Sequence, residues 1–75
     1  MNKSAEKFYY LLDACGGHCT LTLDSTPDEI EGLFQCSKEE FTKNVHFLIE
    51  KGIVKADSTG ITIVAPWKEK MGNNK

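Results

Sequence analysis

The order of helical and strand patterns in this 75-residue sequence predicts a single α+β domain. Three segments repeat apolar residues at the spacing of amphipathic helices, and two short apolar segments around a turn follow the third. The chain is 40% hydrophobic and 27% charged, as ordinary globular domains are. One small core is expected, because chains divide into separate cores only beyond roughly 250 residues.

The N-terminal third of the chain contains one helical pattern and one strand pattern. Ser4 is a residue type that caps helices, and an apolar stripe follows it at Phe8, Leu11, Leu12 and Cys15. Gly16 and Gly17 are expected to end this helix. From Cys19 to Leu23 apolar residues alternate with threonines, and this period of two predicts a short, half-buried strand.

Two capping boxes mark where the second and third helices begin. Thr26 and Glu29 form the first box, with a proline at the first helical position between them. Ser37 and Glu40 form the second box, and the helix that it opens is expected to end at Gly52. Each helix has an apolar side, which consists of Ile30, Leu33 and Phe34 in the second helix and of Phe41, Val45 and Leu48 in the third.

A β-hairpin follows the third helix. Residues 53–56 and 61–64 are short strand-like segments, and residues 57–60 have the composition of a turn. Helix, short strand, helix, helix and hairpin is the order of a winged helix-turn-helix, in which three helices pack on a small antiparallel sheet and the C-terminal hairpin is the wing. We expect this domain over residues 1–67. Residues 68–75 lack periodicity and are expected to form a flexible tail.

The predicted core takes up most apolar residues at periodic positions. Its expected members are Phe8, Leu11, Leu12, Ile30, Leu33, Phe34, Phe41, Val45, Leu48, Ile53, Ile61 and Ile63. A core of this size rarely leaves a pocket of about 300 Å³, which small-molecule sites usually require. We therefore expect no enzyme activity and no small-molecule substrate.

The charge balance restricts the kinds of nucleic acid that the chain could bind. All nine basic residues are lysines and eleven residues are acidic, so the formal net charge is −2. This excludes a strongly basic nucleic-acid-binding protein. The sequence has no arginine, the side chain that binds guanine through two hydrogen bonds and enters narrow minor grooves. Sequence-specific binding of duplex DNA is therefore not expected.

The cysteines point to a reducing compartment and away from a metal site. Three cysteines do not suit a disulfide framework, no apolar secretory segment lies near the N-terminus, and no stretch approaches the ~20 apolar residues that span a membrane. We expect a cytoplasmic location. Cys15, His18 and Cys19, with Cys36 and His46 as further candidate ligands, lack the paired spacing of zinc sites. Buried structural cysteines and no metal are expected.

The exposed side of the third helix is where a winged helix would contact nucleic acid. It is nearly neutral and consists of Glu39, Lys43, His46, Phe47 and Glu50. Phe47 is either half-covered by the wing or the first helix, or free to stack on an unpaired base or enter a pocket of a partner protein. Lys38 and Lys43 are the candidates for phosphate contacts. His46 has no nucleophile placed beside it by a motif, so a catalytic base is not expected.

Several short motifs share the arrangement found in one protein family. They are Gly16 Gly17 before the first strand, Leu21 to Asp24 leading into Ser25 to Ile30, Ser37 Lys38 with Phe41, Lys43 and Leu48, and Gly60 Ile61 in the hairpin. Through them the stretch from Leu12 to Val64 resembles the C-terminal winged-helix domain of the bacterial conserved virulence factor B family, whose members carry RNA-binding OB-type domains ahead of it. The resemblance implies nucleic-acid binding, with RNA in preference to DNA, and no cofactor.

Two functions follow from the residues and the resemblance. The first is a small, non-catalytic regulatory or accessory module that binds RNA or another nucleic acid weakly through Lys38, Lys43, His46 and Phe47. The second is a protein-interaction winged helix that uses Phe47 and His46 against a partner protein or a second copy of the chain. Both hypotheses place the function on the third helix.

Overall fold

A computed structural model describes residues 3–71 of the chain and contains the predicted winged helix. Its elements in chain order are α1 (Lys3–Ala14), β1 (His18–Cys19), α2 (Pro27–Phe34), α3 (Lys38–Glu50), β2 (Val54–Asp57), β3 (Gly60–Ile63) and α4 (Trp67–Met71). The three strands form one antiparallel sheet in the order β1-β3-β2. The predicted fold class is therefore confirmed.

The caps of α2 and α3 show why these helices begin where they do. The Thr26 side-chain oxygen accepts a hydrogen bond from the Glu29 backbone N–H, and the Glu29 carboxylate accepts one from the Thr26 backbone N–H. This is the complete predicted capping box. Ser37 caps α3, because its side-chain oxygen accepts a hydrogen bond from the Glu40 backbone N–H. The Glu40 carboxylate, which would complete the second box, instead accepts a hydrogen bond from the Ser4 hydroxyl of α1.

The sequence predicted Ser4 as the cap of α1, and this prediction is wrong because Ser4 lies inside that helix. Its hydroxyl is directed at α3, where it donates to Glu40 and accepts from the side-chain amide of Asn44 at 3.0 Å. Asn44 is a buried polar residue, only 4% exposed. Its side-chain NH2 group donates to the backbone carbonyl and the hydroxyl of Ser4, so the contact between α1 and α3 is partly polar.

One aromatic ring from each of the first three helices meets in the centre of the core. The ring centroids of Phe8 and Phe34 are 4.3 Å apart, and the Phe41 ring lies 5.6 Å from the Phe8 ring and 5.8 Å from the Phe34 ring. Such tilted and edge-on pairs are favourable beyond the area that they bury. The other buried apolar residues are Ala5, Tyr9, Leu12, Cys19, Ile30, Val45, Leu48, Ile53, Val54, Ile61 and Trp67.

Some predicted core positions are wrong. Leu33 is 38% exposed, because the eight-residue α2 buries only Ile30 and Phe34, which are four positions apart on one side of the helix. Cys15 is exposed because α1 ends at Ala14, so the thiol follows the helix instead of continuing its buried stripe. Two other predicted members, Leu11 and Ile63, pack against the core and are only partly buried.

The first strand is much shorter than the predicted segment from Cys19 to Leu23. It consists of His18 and Cys19 alone, and the chain then forms a turn. The Thr22 backbone N–H donates to the Ser25 hydroxyl, and the Ser25 backbone N–H donates to the Thr22 carbonyl. These local hydrogen bonds replace strand pairing, as serine and threonine side chains often do in turns.

The wing is the β2–β3 hairpin. Strand β2 begins one residue later than the predicted 53–56, and β3 begins one residue earlier than the predicted 61–64. The turn of the wing is closed by Asp57, whose carboxylate accepts hydrogen bonds from the backbone N–H and the hydroxyl of Thr59. The hydrogen bond from the Thr59 hydroxyl stabilises the carboxylate and is the main reason that the pKa of Asp57 is lowered. Gly60 has a φ of +134°, which side-chain-bearing residues rarely adopt, and a Cβ there would collide with the carbonyl oxygen of Cys19.

A fourth helix begins where the sequence suggested a tail. Trp67 opens α4 and is buried, with its ring centroid 5.8 Å from that of Tyr9 on α1. Burial of this large ring orders residues 67–71, although their sequence has no clear helical period. Residues 72–75 of the predicted tail lie outside the described residues. None of the helices within residues 3–71 is long and apolar enough to cross a membrane.

We predict that Leu48→Ala lowers the free energy of unfolding by about 2–5 kcal/mol, because Leu48 is fully buried and its truncation leaves a cavity. Chemical denaturation followed by circular dichroism measures the change. Leu33→Ala is the matched control and should cost far less, since that leucine is partly exposed. Equal losses for the two variants would contradict the assigned core.

We predict that Gly60→Ala strongly destabilises the domain, because the added Cβ meets the backbone of β1 and the φ is unfavourable for alanine. Gly32→Ala is the matched control: it lies in α2, a Cβ there meets nothing within 4 Å, and alanine should stabilise the helix by about 1 kcal/mol. Thermal unfolding of both variants tests this. A Gly60→Ala variant that melts with the wild type would contradict the strand packing.

Candidate functional site

Three neighbouring elements hold α3 and determine which of its sides faces solvent. Helices α1 and α2 and strand β2 all pack against it. The buried side consists of Phe41, Asn44, Val45 and Leu48. Successive residues of a helix are rotated by about 100°, so Glu39, Lys43, His46 and Glu50 point away from this side, and all four are exposed. Two of the four predicted contact residues, Lys43 and His46, are therefore free to contact a partner.

The structure brings Lys43, His46 and Phe47 together and places Lys38 apart from them. Lys43 and His46 are exposed on adjacent turns of α3, and Phe47 lies four residues after Lys43. Lys38 is half-buried at the opposite edge of the helix, in a surface cleft with Glu31 and other residues of α2 and the α2–α3 turn. The four predicted contact residues thus form one group of three and one outlying lysine.

Phe47 is half-buried and packs against the core. The side-chain nitrogen of Lys51 lies 5.6 Å from the centroid of its ring, at the distance of a cation–π contact. Such contacts contribute roughly 0.5–1 kcal/mol at exposed sites. Phe47 therefore presents part of its ring to solvent, beside an ammonium group.

Lys51 is a residue that the sequence analysis missed. It is the C-cap of α3, immediately after the last helical residue, and its backbone N–H donates to the Phe47 carbonyl. The signal was present in the sequence, because Lys43, Phe47 and Lys51 are spaced by four residues and such positions adjoin on a helix. We call Lys43, His46, Phe47 and Lys51 the α3 face.

The charge around the α3 face is balanced. Lys43 and Lys51 contribute two positive charges, and the neighbouring Glu39 and Glu50 contribute two negative charges. Glu40 is also on this helix, but its carboxylate is hydrogen-bonded to Ser4 at the edge that faces α1. The α3 face therefore has one lysine on each side of an aromatic ring, and it has no large area of positive potential.

The cysteines and histidines are the candidate metal ligands of the chain. Among residues 3–71 no group of three or more histidine, cysteine, aspartate or glutamate side chains could hold a metal ion. Burial raises the pKa of the Cys19 thiol. The pKa of the Cys36 thiol is raised mainly by its partial burial and also by repulsion from the Glu40 carboxylate. A raised pKa keeps these thiols protonated at neutral pH, and the thiolate is the form that binds metals and attacks substrates.

Comparison with protein families identifies the domain. Residues 6–63 match the model of the CvfB-like winged helix domain. The chain belongs to this family. The match includes α1 from Glu6 onward, α2, α3 and the whole wing, so the α3 face lies within the CvfB-like winged helix domain. This confirms the resemblance that the short motifs indicated.

One solved structure similar to this CvfB-like domain comes from Streptococcus pneumoniae TIGR4 and is described as a multidomain protein with nucleic acid binding domains. The two share 31% sequence identity and superpose with a TM-score of 0.78. The similarity covers 85% of this chain and 22% of the streptococcal chain, so it spans about a fifth of that protein's length. The curated proteins contain no significant match to the sequence.

We predict that the domain needs no metal for folding, because burial raises the pKa of two of its thiols and no group of three candidate ligands meets within residues 3–71. Adding a chelator should leave the melting temperature of the purified protein unchanged. Elemental analysis of the same sample is the companion measurement. Release of one equivalent of zinc, with a fall in melting temperature, would contradict this prediction.

Proposed function

We propose that this domain is a non-catalytic module that binds nucleic acid through the α3 face, with single-stranded or structured RNA preferred over duplex DNA. The observation that carries the proposal is the similarity to the streptococcal protein, which is described as having nucleic acid binding domains. The residues of the α3 face give this proposal a physical basis.

The α3 face has the two kinds of group that a single strand requires. Lys43 and Lys51 are exposed and can contact phosphates. The exposed part of the Phe47 ring and the imidazole of His46 can stack on bases that are not paired, which is worth roughly 1–3 kcal/mol per base in other proteins. Lys38 would add a phosphate contact at the other edge of α3.

The same residues disfavour tight binding of duplex DNA. The chain has no arginine to bind guanine in the major groove. The two glutamates beside the α3 face offset its lysines, so attraction to the dense charge of a duplex is weak. Binding is therefore expected to be modest and to depend on stacking.

The proposal of a non-catalytic role follows from the side chains of the α3 face. A histidine that serves as a catalytic base normally activates a nucleophile, and no serine or cysteine side chain accompanies His46 on that face. A location in the cytoplasm belongs to the same proposal.

We predict that the domain binds a labelled single-stranded RNA of roughly 12 nucleotides with a shallow salt dependence, equivalent to about two to four phosphate contacts at ~0.7 each. Fluorescence anisotropy over a range of salt concentrations measures both affinity and slope. Lys38→Glu combined with Lys43→Glu should abolish binding. A double variant with the same change in charge outside the α3 face, Lys7→Glu on α1 with Lys68→Glu on α4, is the matched control and should bind normally, because both lysines are exposed.

Phe47→Ala should weaken RNA binding by about fivefold or more without changing the salt slope, since it removes a stacking surface and no charge. Phe47→Tyr keeps the ring and should retain binding, which separates stacking from a loss of folding. If RNA binding survives all these changes while Phe47→Ala disrupts a self-associated or protein-bound state, the protein-interaction hypothesis replaces this proposal. Tight, sequence-specific duplex binding would contradict both.

A further inference from the structure

The outer surface of the three-stranded sheet carries a second group of polar side chains. In the strand register His18 of β1 is paired with Thr62 of β3, and Thr62 is paired with Lys55 of β2. Paired residues of neighbouring strands point to the same side of a sheet. The neighbouring pair in the register, Cys19 with Ile61, is buried on the core side. His18, Thr62 and Lys55 therefore form one row across the solvent side, which we call the sheet row.

The imidazole of His18 is held in place within the sheet row. Its Nδ1 lies 2.7 Å from the Thr62 hydroxyl oxygen, a hydrogen-bond distance. Its Cε1 lies 3.1 Å from the position that a Cβ would occupy at Gly60, so the absence of a side chain there leaves room for the ring. His18 is nevertheless exposed to solvent. An exposed ring whose orientation is set by a hydrogen bond has less side-chain freedom to lose when a ligand binds.

The charges of the sheet row favour an anionic ligand. Lys55 is exposed at one end of the row, and the row itself contains no carboxylate. The nearest acidic residue along β2 is Asp57, two positions from Lys55 on the same strand, and the two charges attract each other. The Asp57 carboxylate also accepts two hydrogen bonds from Thr59 at the tip of the wing, which leaves the ammonium group of Lys55 as the charge at the end of the row itself. His18 and Lys55 lie two strands apart, about 10 Å between their backbones, so one extended chain can reach both.

We propose that the sheet row is a second contact surface for single-stranded nucleic acid, with His18 stacking on a base and Lys55 contacting a phosphate. This inference rests on the proposed function and extends it from the α3 face to the outer side of the sheet. The ligand is a single strand because a stacked base must be free of its pairing partner. Thr62 is a positioning residue, which acts by orienting the imidazole.

The test uses fluorescence anisotropy with the same single-stranded RNA and with its duplex. His18→Ala should weaken binding of the single strand by about fivefold or more and leave the salt slope unchanged. Lys55→Gln should weaken binding and reduce the slope by about 0.7, the contribution of one phosphate contact. Thr62→Val, which keeps the shape of the side chain and removes the hydroxyl, should give a smaller loss than His18→Ala. His18→Phe retains a ring for stacking and should restore most of the binding.

Lys68→Gln on α4 is the control for Lys55→Gln, and melting temperatures confirm that each variant is folded. If the sheet-row variants bind like the wild type while the Lys38→Glu and Lys43→Glu double variant does not bind, the sheet-row inference is overturned and the proposed function stands. If the wild-type domain binds no RNA, both are overturned. Wild-type binding that is stronger for the duplex than for the single strand, or dimerisation that His18→Ala abolishes, would also overturn the sheet-row assignment.

Discussion

The contact of three phenylalanine rings, one from each of the first three helices, is the interaction on which this domain depends. Phe8, Phe34 and Phe41 lie within 4.3–5.8 Å of one another, measured between ring centroids. In a chain of 75 residues few other side chains are large enough to join three helices at one point. Because Phe41 is part of this contact, one side of α3 is committed to the core. The rotation of α3, and so the identity of its exposed residues, follows from that commitment.

The remaining contacts of α3 refine this arrangement. Asn44 is hydrogen-bonded to Ser4 of α1, and a buried amide with specific partners favours one relative position of two helices over others. The same serine binds the Glu40 carboxylate and keeps it at the edge of α3 that faces α1. Together these contacts leave Lys43, His46 and Phe47 on the solvent side with Lys51 over the ring. The chemistry proposed for this face is thus a consequence of how the core is packed.

Most of the fold could be predicted from local patterns, because the signals for it are local. The capping box of Thr26 and Glu29 and the apolar spacing of α3 depend only on residues a few positions apart. The errors occur where a distant residue decides the outcome. Trp67 orders α4 by packing on Tyr9, more than fifty positions earlier in the chain. The alternation from Cys19 to Leu23 resembled a strand, but only His18 and Cys19 find a partner on β3.

The candidate site was predictable to a similar extent. Helical spacing was enough to place Lys43, His46 and Phe47 on the exposed side of α3. It could not show that Lys38 faces the cleft beside α2, since this depends on how two helices pack. Nor could it show that His18 and Lys55 share one side of the sheet. Strand register joins residues 37 positions apart, and it is set by tertiary structure.

The central claim is that the outer side of α3 contacts nucleic acid, and mapping the contact at each residue tests it most directly. Two-dimensional NMR of the ¹⁵N-labelled domain during titration with a single-stranded RNA would follow every backbone amide. We predict that the largest shift changes occur at Lys43, His46, Phe47 and Lys51, with smaller changes at Lys38 and at His18 and Lys55 of the sheet row. Changes confined to α2 or α4, or spread evenly over the surface, would contradict the assignment of the α3 face.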